Sequence, residues 1–302
     1  MGWSGNNDHM TVYGERAGLA LAAAAVFLCV CGTAARAADV PARPSAGCEA
    51  AHEDTGREIH RTIEIDGVTR SFILDVPEQA KPKVPAVPVP VPLLFDFHGF
   101  GHSAAGVWKV SGFRELAGRD GFITVYPDGL PVHLLGRDAP GWEIFTISGN
   151  RDLTFTAQLL DQLERTYCID RARVFATGFS NGAFFSNLLG CVMADRFAAI
   201  APVSGGGITV ACAPPRGVPV IIHHGRQDEL IDVRQARLER DAWIEKDGCR
   251  EHVSDGCEWH RGCRDGAEVA YCEADGAHRW PAQATGRIWE FFRTHPLPKG
   301  PP

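Results

Sequence analysis

The sequence predicts an α/β fold, with a mostly parallel central sheet that is covered by helices on both faces. Short apolar runs alternate with amphipathic helical patterns, and 302 residues with 45% hydrophobic composition suffice for one large core. The predicted strands are 62–65, 71–76, 93–97, 122–126, 174–177, 198–203, 218–223 and 268–271. The predicted helices are 113–119, 153–166, 182–193 and 234–246, with a final helix after residue 281. Ligands of such sheets bind at the carboxyl ends of the strands.

Residues 1–37 have the pattern of a secretory signal peptide. An apolar run at 17–32 is followed by Ala35-Arg36-Ala37, a cleavage site of small residues. A retained membrane anchor is the alternative, although the run is barely long enough to span a bilayer. We therefore divide the chain into a signal peptide at 1–37, an irregular N-terminal segment at 38–58, the α/β domain at 59–297 and a C-terminal tail at 298–302.

The domain begins with two strands, 62–65 and 71–76, that flank Asp66-Gly67, which is a hairpin signal. We expect both strands near the edge of the sheet. Residues 80–92 contain five prolines, which favour an extended surface loop over regular structure. A domain linker is the alternative, but the core strand at 93–97 follows immediately.

The chain has a net charge of −7, and removal of residues 1–37 leaves this value unchanged because that segment carries two acidic and two basic residues. An acidic surface argues against nucleic acid or an anionic membrane as a partner. We expect no membrane association after signal cleavage, and a monomer.

Eight cysteines remain after removal of the signal peptide, and an even number in an exported chain predicts disulfides. They are Cys48, Cys168, Cys191, Cys212, Cys249, Cys257, Cys263 and Cys272. Sequence alone does not fix the pairing, although a bond between Cys191 and Cys212 would tie the helix at 182–193 to the loop that follows. The alternative is a metal site, because Cys257, His260 and Cys263 are spaced like ligands, with Cys249 and His252 nearby.

The segment Gly178-Phe179-Ser180-Asn181-Gly182 joins the predicted strand at 174–177 to the predicted helix at 182–193. Glycines fit two residues before and after a serine in so sharp a turn, and the strain points the serine Oγ into a cleft. The sequence therefore predicts a nucleophile at Ser180. A five-residue match can arise by chance, so the prediction also depends on acidic and histidine partners downstream, in that order.

Two backbone N–H groups are candidates to stabilise an oxyanion. The segment His98-Gly99-Phe100-Gly101 follows the strand at 93–97, and its glycines let the backbone turn toward the cleft. We expect the N–H groups of Phe100 and Asn181 to be the donors, the latter at the positive end of a helix. An ordinary glycine-rich loop is the alternative.

The acidic partner is expected directly after the strand at 218–223, where a carboxylate can orient a catalytic imidazole. Asp228 is the first choice, and Glu229 and Asp232 remain candidates. His223 and His224 are adjacent, and neighbouring side chains at a strand end point to opposite sides, so we expect one of them to be packed.

The general base is expected at His278, in the loop Gly276-Ala277-His278-Arg279-Trp280-Pro281 before the final helix. An imidazole can take a proton from Ser180 and return it to a leaving alcohol. A polar surface histidine is the alternative.

These motifs resemble the secreted esterases of the α/β-hydrolase superfamily that include feruloyl esterases and short polyhydroxybutyrate depolymerases. The resemblance covers roughly residues 59–295 and implies an α/β-hydrolase fold, a Ser180, Asp228 and His278 triad, and neither a cofactor nor a metal. Its most specific segments are 96–101, 126–129, 173–182, 196–205 and 276–281.

Members of that group usually have glycine where this chain has Ala183, and again where it has Ala277. Each replacement adds one methyl group and removes no catalytic group. The segment 141–145 resembles a tryptophan-bearing loop beside the acyl pocket, so we expect Trp142 to contact substrate, together with His98 and Trp280. The alternative for Trp142 is a place in the core.

The sequence therefore predicts an exported serine esterase, extracellular or periplasmic, whose catalytic domain is residues 59–297. The preferred substrate is a feruloyl or similar aromatic ester on plant polysaccharide, because the stretch Tyr167-Cys168-Ile169-Asp170 and the following turn look most similar to feruloyl esterases. Polyhydroxybutyrate depolymerisation is the second choice and acetyl removal from xylan the third. Two rival interpretations are a noncatalytic binding protein on the same fold and a zinc hydrolase that uses Cys257, His260 and Cys263.

Overall fold

The computed structural model describes residues 2, 40–49, 54–80, 89–207 and 210–298. The chain divides into two units, Met1–Ala34 and Ala35–Pro302, and every element described below belongs to the second. The expected signal peptide, apart from Gly2, and residues 81–88 of the proline-rich loop lie outside the described residues. None of the helices within those ranges combines the length and apolar character that crossing a membrane requires.

Strands and helices alternate through most of the described chain. The strands are β1 (Gly56–Ile65), β2 (Val68–Val76), β3 (Val91–Phe97), β4 (Ile123–Pro127), β5 (Pro131–Leu134), β6 (Arg137–Pro140), β7 (Ile169–Phe179), β8 (Ala199–Val203), β9 (Val220–Gly225), β10 (Glu251–Asp255), β11 (Cys257–Arg261) and β12 (Val269–Ala274). The helices are α1 (Ala104–Val110), α2 (Phe113–Asp120), α3 (Arg151–Thr166), α4 (Asn181–Val192), α5 (Val233–Asp247) and α6 (Ala284–Arg293).

Ten of these strands form one sheet, in the order β1-β2-β4-β3-β7-β8-β9-β12-β11-β10. The six strands from β4 to β12 are parallel neighbours. An antiparallel hairpin continues the sheet at each end, β1-β2 on one side and β10-β11 on the other. The mostly parallel α/β architecture that the sequence predicts is therefore confirmed.

The sheet separates two apolar layers. On one face, Phe95 and Phe97 of β3 pack with residues of α3, α4 and α5. On the other face, Leu94 of the same strand packs with residues of α2 and α6. Strands β4, β8 and β9 are buried at every position, as expected for parallel strands that helices cover on both faces.

Four disulfides join the eight cysteines that follow residue 37, in the pairs Cys48–Cys168, Cys191–Cys212, Cys249–Cys263 and Cys257–Cys272. The prediction of disulfides is confirmed, and the pairing, which the sequence left open, includes the Cys191–Cys212 bond. The alternative of a metal site that uses Cys257, His260 and Cys263 is wrong, because both cysteine sulfurs are bonded to other cysteines.

Three short elements were not expected from the sequence: α1, the small hairpin β5-β6, and the edge hairpin β10-β11. Strand β1 begins at Gly56, inside the segment that we expected to be irregular. Strand β7 is also longer than the apolar run at 174–177, since it extends from Ile169 to Phe179.

Candidate active site

The turn between β7 and α4 is strained in the way that a serine at a nucleophile elbow requires. Ser180 has φ 55° and ψ −116°, a backbone conformation that residues other than glycine rarely adopt. A Cβ on Gly178 would overlap the carbonyl oxygen of Gly182, and a Cβ on Gly182 would overlap that of Phe97. Both glycines are therefore needed for the close approach of β7, α4 and β3.

The backbone of Ser180 is held from two sides. Its N–H donates to the carbonyl oxygen of Val203 in β8 (2.9 Å), and its own carbonyl oxygen accepts from Ala183 and Phe184 in α4. The residue is half-buried. Its Cβ lies 3.3 Å from where a side chain on Gly99 would begin, so the loop after β3 passes directly beside the serine.

Asp228 and His278 are in direct contact. His278 Nδ1 lies 2.7 Å from Asp228 Oδ2, while Asp228 Oδ1 accepts hydrogen bonds from the backbone N–H groups of Leu230 (3.0 Å) and Ile231 (2.8 Å). The Asp228 side chain is fully buried, and that of His278 is 13% exposed. The buried carboxylate is therefore fixed in one orientation and leaves one oxygen for the imidazole.

The two loops that carry these side chains are joined along their backbones. Arg226 donates to the carbonyl oxygen of Ala274 (2.9 Å) and Gln227 to that of Gly276 (3.0 Å). A Cβ on Gly225 would overlap the Gly276 carbonyl oxygen, so the approach depends on glycine. This contact between the ends of β9 and β12 determines which carboxylate reaches the histidine.

The other two acidic candidates lie elsewhere. Asp232 caps the N-terminus of α5 by accepting from the Arg234 N–H (2.9 Å), and its ion pair with the Arg234 guanidinium lowers its pKa to about 2. Glu229 is exposed. Of the three carboxylates, the structure brings Asp228 to His278.

His98 fixes the orientation of the peptide group between Gly99 and Phe100. Its Nε2 accepts from the Gly129 N–H (2.9 Å), so the ring proton is on Nδ1, which donates to the carbonyl oxygen of Gly99 (2.8 Å). The N–H of a trans peptide points opposite to its C=O, so the Phe100 N–H points away from the His98 ring. Burial lowers the pKa of His98, which keeps the ring neutral.

Within the described ranges, neither the Phe100 N–H nor the Asn181 N–H has a hydrogen-bond acceptor. Asn181 is the first residue of α4, where an unpaired N–H is expected. Gly99, the residue before Phe100, adjoins the Ser180 Cβ. Two donors for an oxyanion are therefore available beside the serine.

Trp142 lies in the core rather than at the surface. It is 1% exposed, its indole N–H donates to the His98 carbonyl oxygen (2.8 Å), and its ring stacks on Phe185 at 5.3 Å between centroids. Its backbone N–H donates to Asn181 Oδ1 (2.7 Å), and Asn181 Nδ2 donates back to its carbonyl oxygen (3.2 Å). Trp142 thus joins the loop after β3 to the start of α4, and its expected contact with substrate stays a prediction.

A cleft of about 380 Å³ opens beside His278. His98, Gly99 and Trp280 contribute to its lining, so two of the three residues expected to contact substrate face this space. The remaining lining residues are His102, Gly106, Val107, Val110, Phe179, His278 and Arg279. The ring of Phe179, the residue before the serine, lies 4.8 Å from the ring of His278.

Solved structures with this architecture include esterases. An acetyl xylan esterase from Aspergillus awamori superposes with a TM-score of 0.59 and 14% identity, over 78% of this chain and 98% of its own. The chain has the α/β-hydrolase fold. At that identity the structural likeness establishes the fold alone, and no protein-family model matches the sequence.

Sequence relatives of this chain include fungal esterases. A feruloyl esterase from Neurospora crassa is 27% identical over 280 residues, which are 83% of this chain and 90% of that protein. A bifunctional acetylxylan esterase/xylanase from Neocallimastix patriciarum is 31% identical over 144 residues, 48% of this chain. The chain spans 20% of the length of the latter and 42% of that of a feruloyl esterase from Piromyces equi. The chain therefore resembles the feruloyl esterases in sequence.

Both departures from the usual glycine pattern have a clear structural setting in this chain. Ala183 is fully buried, and its Cβ lies 2.5 Å from where a Cβ on Gly205 would be. The methyl group therefore occupies space that the missing side chain of Gly205 leaves open. Ala277 is exposed, so its methyl group faces solvent.

Some residues that shape the site were not recognised from the sequence. The Gly129 N–H bonds His98, and a Cβ on Gly129 would overlap the carbonyl oxygen of Gly141. The segment 126–129 contributed to the family resemblance, but its contact with His98 depends on tertiary packing.

Both His223 and His224 are buried, where we expected only one to be packed, and burial lowers the pKa of His223 to about 3.

Proposed function

We propose that this α/β-hydrolase is an exported serine carboxylic-ester hydrolase that acts on feruloyl or similar aromatic esters of plant polysaccharide. The observation that carries the proposal is the 2.7 Å contact between His278 Nδ1 and Asp228 Oδ2 at a cleft next to the strained Ser180. A nucleophile, an acid and a base in this chain order are typical of the fold.

In the proposed reaction, Ser180 Oγ attacks the ester carbonyl carbon while His278 Nε2 takes the hydroxyl proton. Asp228 holds the imidazole through Nδ1 and stabilises its positive charge. The N–H groups of Phe100 and Asn181 donate to the oxyanion, where one such donor typically contributes about 3 kcal/mol. The C–O bond then breaks, the alcohol leaves with the proton from His278, and water releases the acid by the same steps.

The cleft supports an aromatic acyl group as substrate. Trp280, Phe179, Val107 and Val110 give it apolar and aromatic walls, which is typical of sites that bind small organic groups. The relatives named feruloyl esterase agree with this choice. Because the chain spans less than half of one of those proteins, the polysaccharide part of the substrate belongs to the proposal as well.

Export of the protein is part of the proposal, because a plant polysaccharide lies outside the cell that would degrade it. Four disulfides fit an oxidising compartment outside the cytosol. The signal peptide that the sequence predicts at 1–37 is the second support. Release of the chain to the medium or periplasm, with its N-terminus at Ala38, is the expected result of expression in a bacterial host, and N-terminal sequencing checks it.

The deciding experiment compares the wild type with Ser180→Ala on methyl ferulate, hydroxybutyrate oligomers and acetylated xylan in parallel. We expect serine-dependent release of ferulate, with a loss of several orders of magnitude in Ser180→Ala. Ser254→Ala, at an exposed position of β10, is the matched control and should retain full activity. Release from the oligomers or from xylan alone would reassign the substrate. No serine-dependent release from any of the three would contradict the proposal and favour a noncatalytic binding protein.

A further inference from the structure

Three side chains with metal-binding atoms converge on one face of the edge hairpin β10-β11. They are His252 on β10, and Glu258 and His260 on β11, and their ligand atoms all lie within 4.8 Å of one another. His252 is the direct register partner of His260, and their rings are 4.9 Å apart between centroids. Glu258 lies two residues from His260 and therefore points to the same face of the strand.

The hairpin that carries this cluster is held at both ends. Cys249 and Cys263 form a disulfide just outside its open end, and Cys257, the first residue of β11, is bonded to Cys272 of β12. The register from Glu251↔Arg261 to Asp255↔Cys257 is continuous. The backbone positions of the three residues are therefore fixed before any ligand arrives, which reduces the entropic cost of binding one.

We propose that His252, Glu258 and His260 bind a divalent transition-metal ion such as Zn²⁺. Two imidazoles and one carboxylate are a preferred donor set for zinc, with bonds of about 2.0–2.2 Å. Tetrahedral geometry at those lengths places ligand atoms about 3.4 Å apart, so small side-chain rotations close the present gaps. His260 Nε2 is buried and has no hydrogen-bond partner within the described part of the chain. Three protein ligands leave one position for water.

Arg240 of α5 opposes the ion and limits its affinity. Its Nη1 lies 2.7 Å from Glu258 Oε2, and its guanidinium lies over the ring of Tyr271 at 5.1 Å. A bound cation must displace this partner from the carboxylate and tolerate its positive charge nearby. Replacing Arg240 with glutamine should therefore tighten binding several-fold, whereas loss of a ligand weakens it.

The site lies far along the sheet from the proposed nucleophile, while His278 follows the end of β12, seven residues beyond Tyr271, the register partner of Glu258. Four strand-to-strand steps separate β11 from β7 in the sheet, which is about 19 Å at the usual spacing. Ser180 follows the end of β7. We expect bound Zn²⁺ to leave the rate of ester hydrolysis unchanged. The Zn²⁺ titration and the ester-hydrolysis assay therefore test the two proposals independently.

The test titrates Zn²⁺ into the untagged protein, with its disulfides intact, by calorimetry and by competition with a chromophoric chelator. We expect one ion per chain, and at least tenfold weaker binding in both His252→Gln and His260→Gln. Thermal unfolding without metal checks that each variant is folded. The matched control is His60→Gln on β1, the opposite edge strand, where the imidazole lies 3.8 Å from the Glu58 carboxylate.

The same titration contains the results that would overturn the inference. These are the absence of saturable binding by the wild type, binding that His252→Gln and His260→Gln leave intact, and an equal loss in His60→Gln. If the wild type binds Zn²⁺ and both histidine variants weaken binding, Arg240→Gln should bind Zn²⁺ more tightly than the wild type. Weaker binding by Arg240→Gln would assign the ion to other ligands.

Discussion

Replacing Asp228 with asparagine isolates the role of one oxygen atom. Oδ1 of Asp228 accepts two backbone hydrogen bonds, from Leu230 and Ile231, so the amide oxygen of an asparagine must take that place. The NH₂ group of the asparagine then faces His278 Nδ1. Because that group is a hydrogen-bond donor, Nδ1 must be the acceptor and cannot carry the ring proton. The imidazole proton moves to Nε2, and that nitrogen can no longer take the proton of Ser180.

The expected loss is about 10⁴-fold in kcat, which equals about 5.4 kcal/mol at 1.36 kcal/mol per factor of ten. The KM for methyl ferulate should change little, because the cleft walls are untouched. Steady-state kinetics measures both constants, and circular dichroism checks the fold. Asp232→Asn is the matched control and should retain full activity, because that carboxylate caps α5. The reasoning is refuted if Asp228→Asn keeps a tenth of the activity or if Asp232→Asn loses as much.

Three further predictions concern other parts of the molecule. Gly178→Ala should abolish soluble folded protein, because the new Cβ would overlap the carbonyl oxygen of Gly182. Gly286→Ala has open space around the new Cβ in α6, so it should raise the free energy of unfolding by about 0.5–1 kcal/mol in chemical denaturation. Equal yields of the two variants would contradict this prediction. His98→Ala should lower kcat at least 10²-fold with KM nearly unchanged, because it frees the peptide that carries an oxyanion donor; a rise in KM alone would instead indicate substrate binding. Burial raises the pKa of Glu239 to about 8, so between pH 4.5 and 8 the folded state keeps a proton that the unfolded state releases, and stability falls as pH rises. The Tm of Glu239→Gln should depend less on pH over that range, and identical Tm profiles would refute the assignment.

The elements that the sequence predicts well are those whose local pattern and tertiary role agree. The glycines at 178 and 182 indicate the elbow because no other residue fits between β7, α4 and β3. Strands such as β4 and β8 are apolar throughout because both their faces are covered. The order of nucleophile, acid and base then identifies candidates without any structure.

Other features depend on contacts between distant parts of the chain. Three carboxylates follow β9 within seven residues, and the joined ends of β9 and β12 bring Asp228 to His278. Helix α1 includes Gly106 and β-branched residues with low helix propensity, and packing of Val107 and Trp108 stabilises it. The β10-β11 hairpin gives little strand signal because its sequence is mostly polar. Disulfides, which local patterns do not reveal, hold it in place. Local patterns contain none of this information.

The contact between Ala183 and Gly205 makes these two positions depend on each other. With alanine at 183, a methyl group at 205 would lie 2.5 Å from another methyl carbon, so Gly205→Ala alone should be strongly destabilising. With glycine at 183 the same substitution becomes sterically acceptable. Directed evolution should therefore vary positions 183 and 205 jointly, because a library at 205 alone would discard side chains that the double replacement can accept.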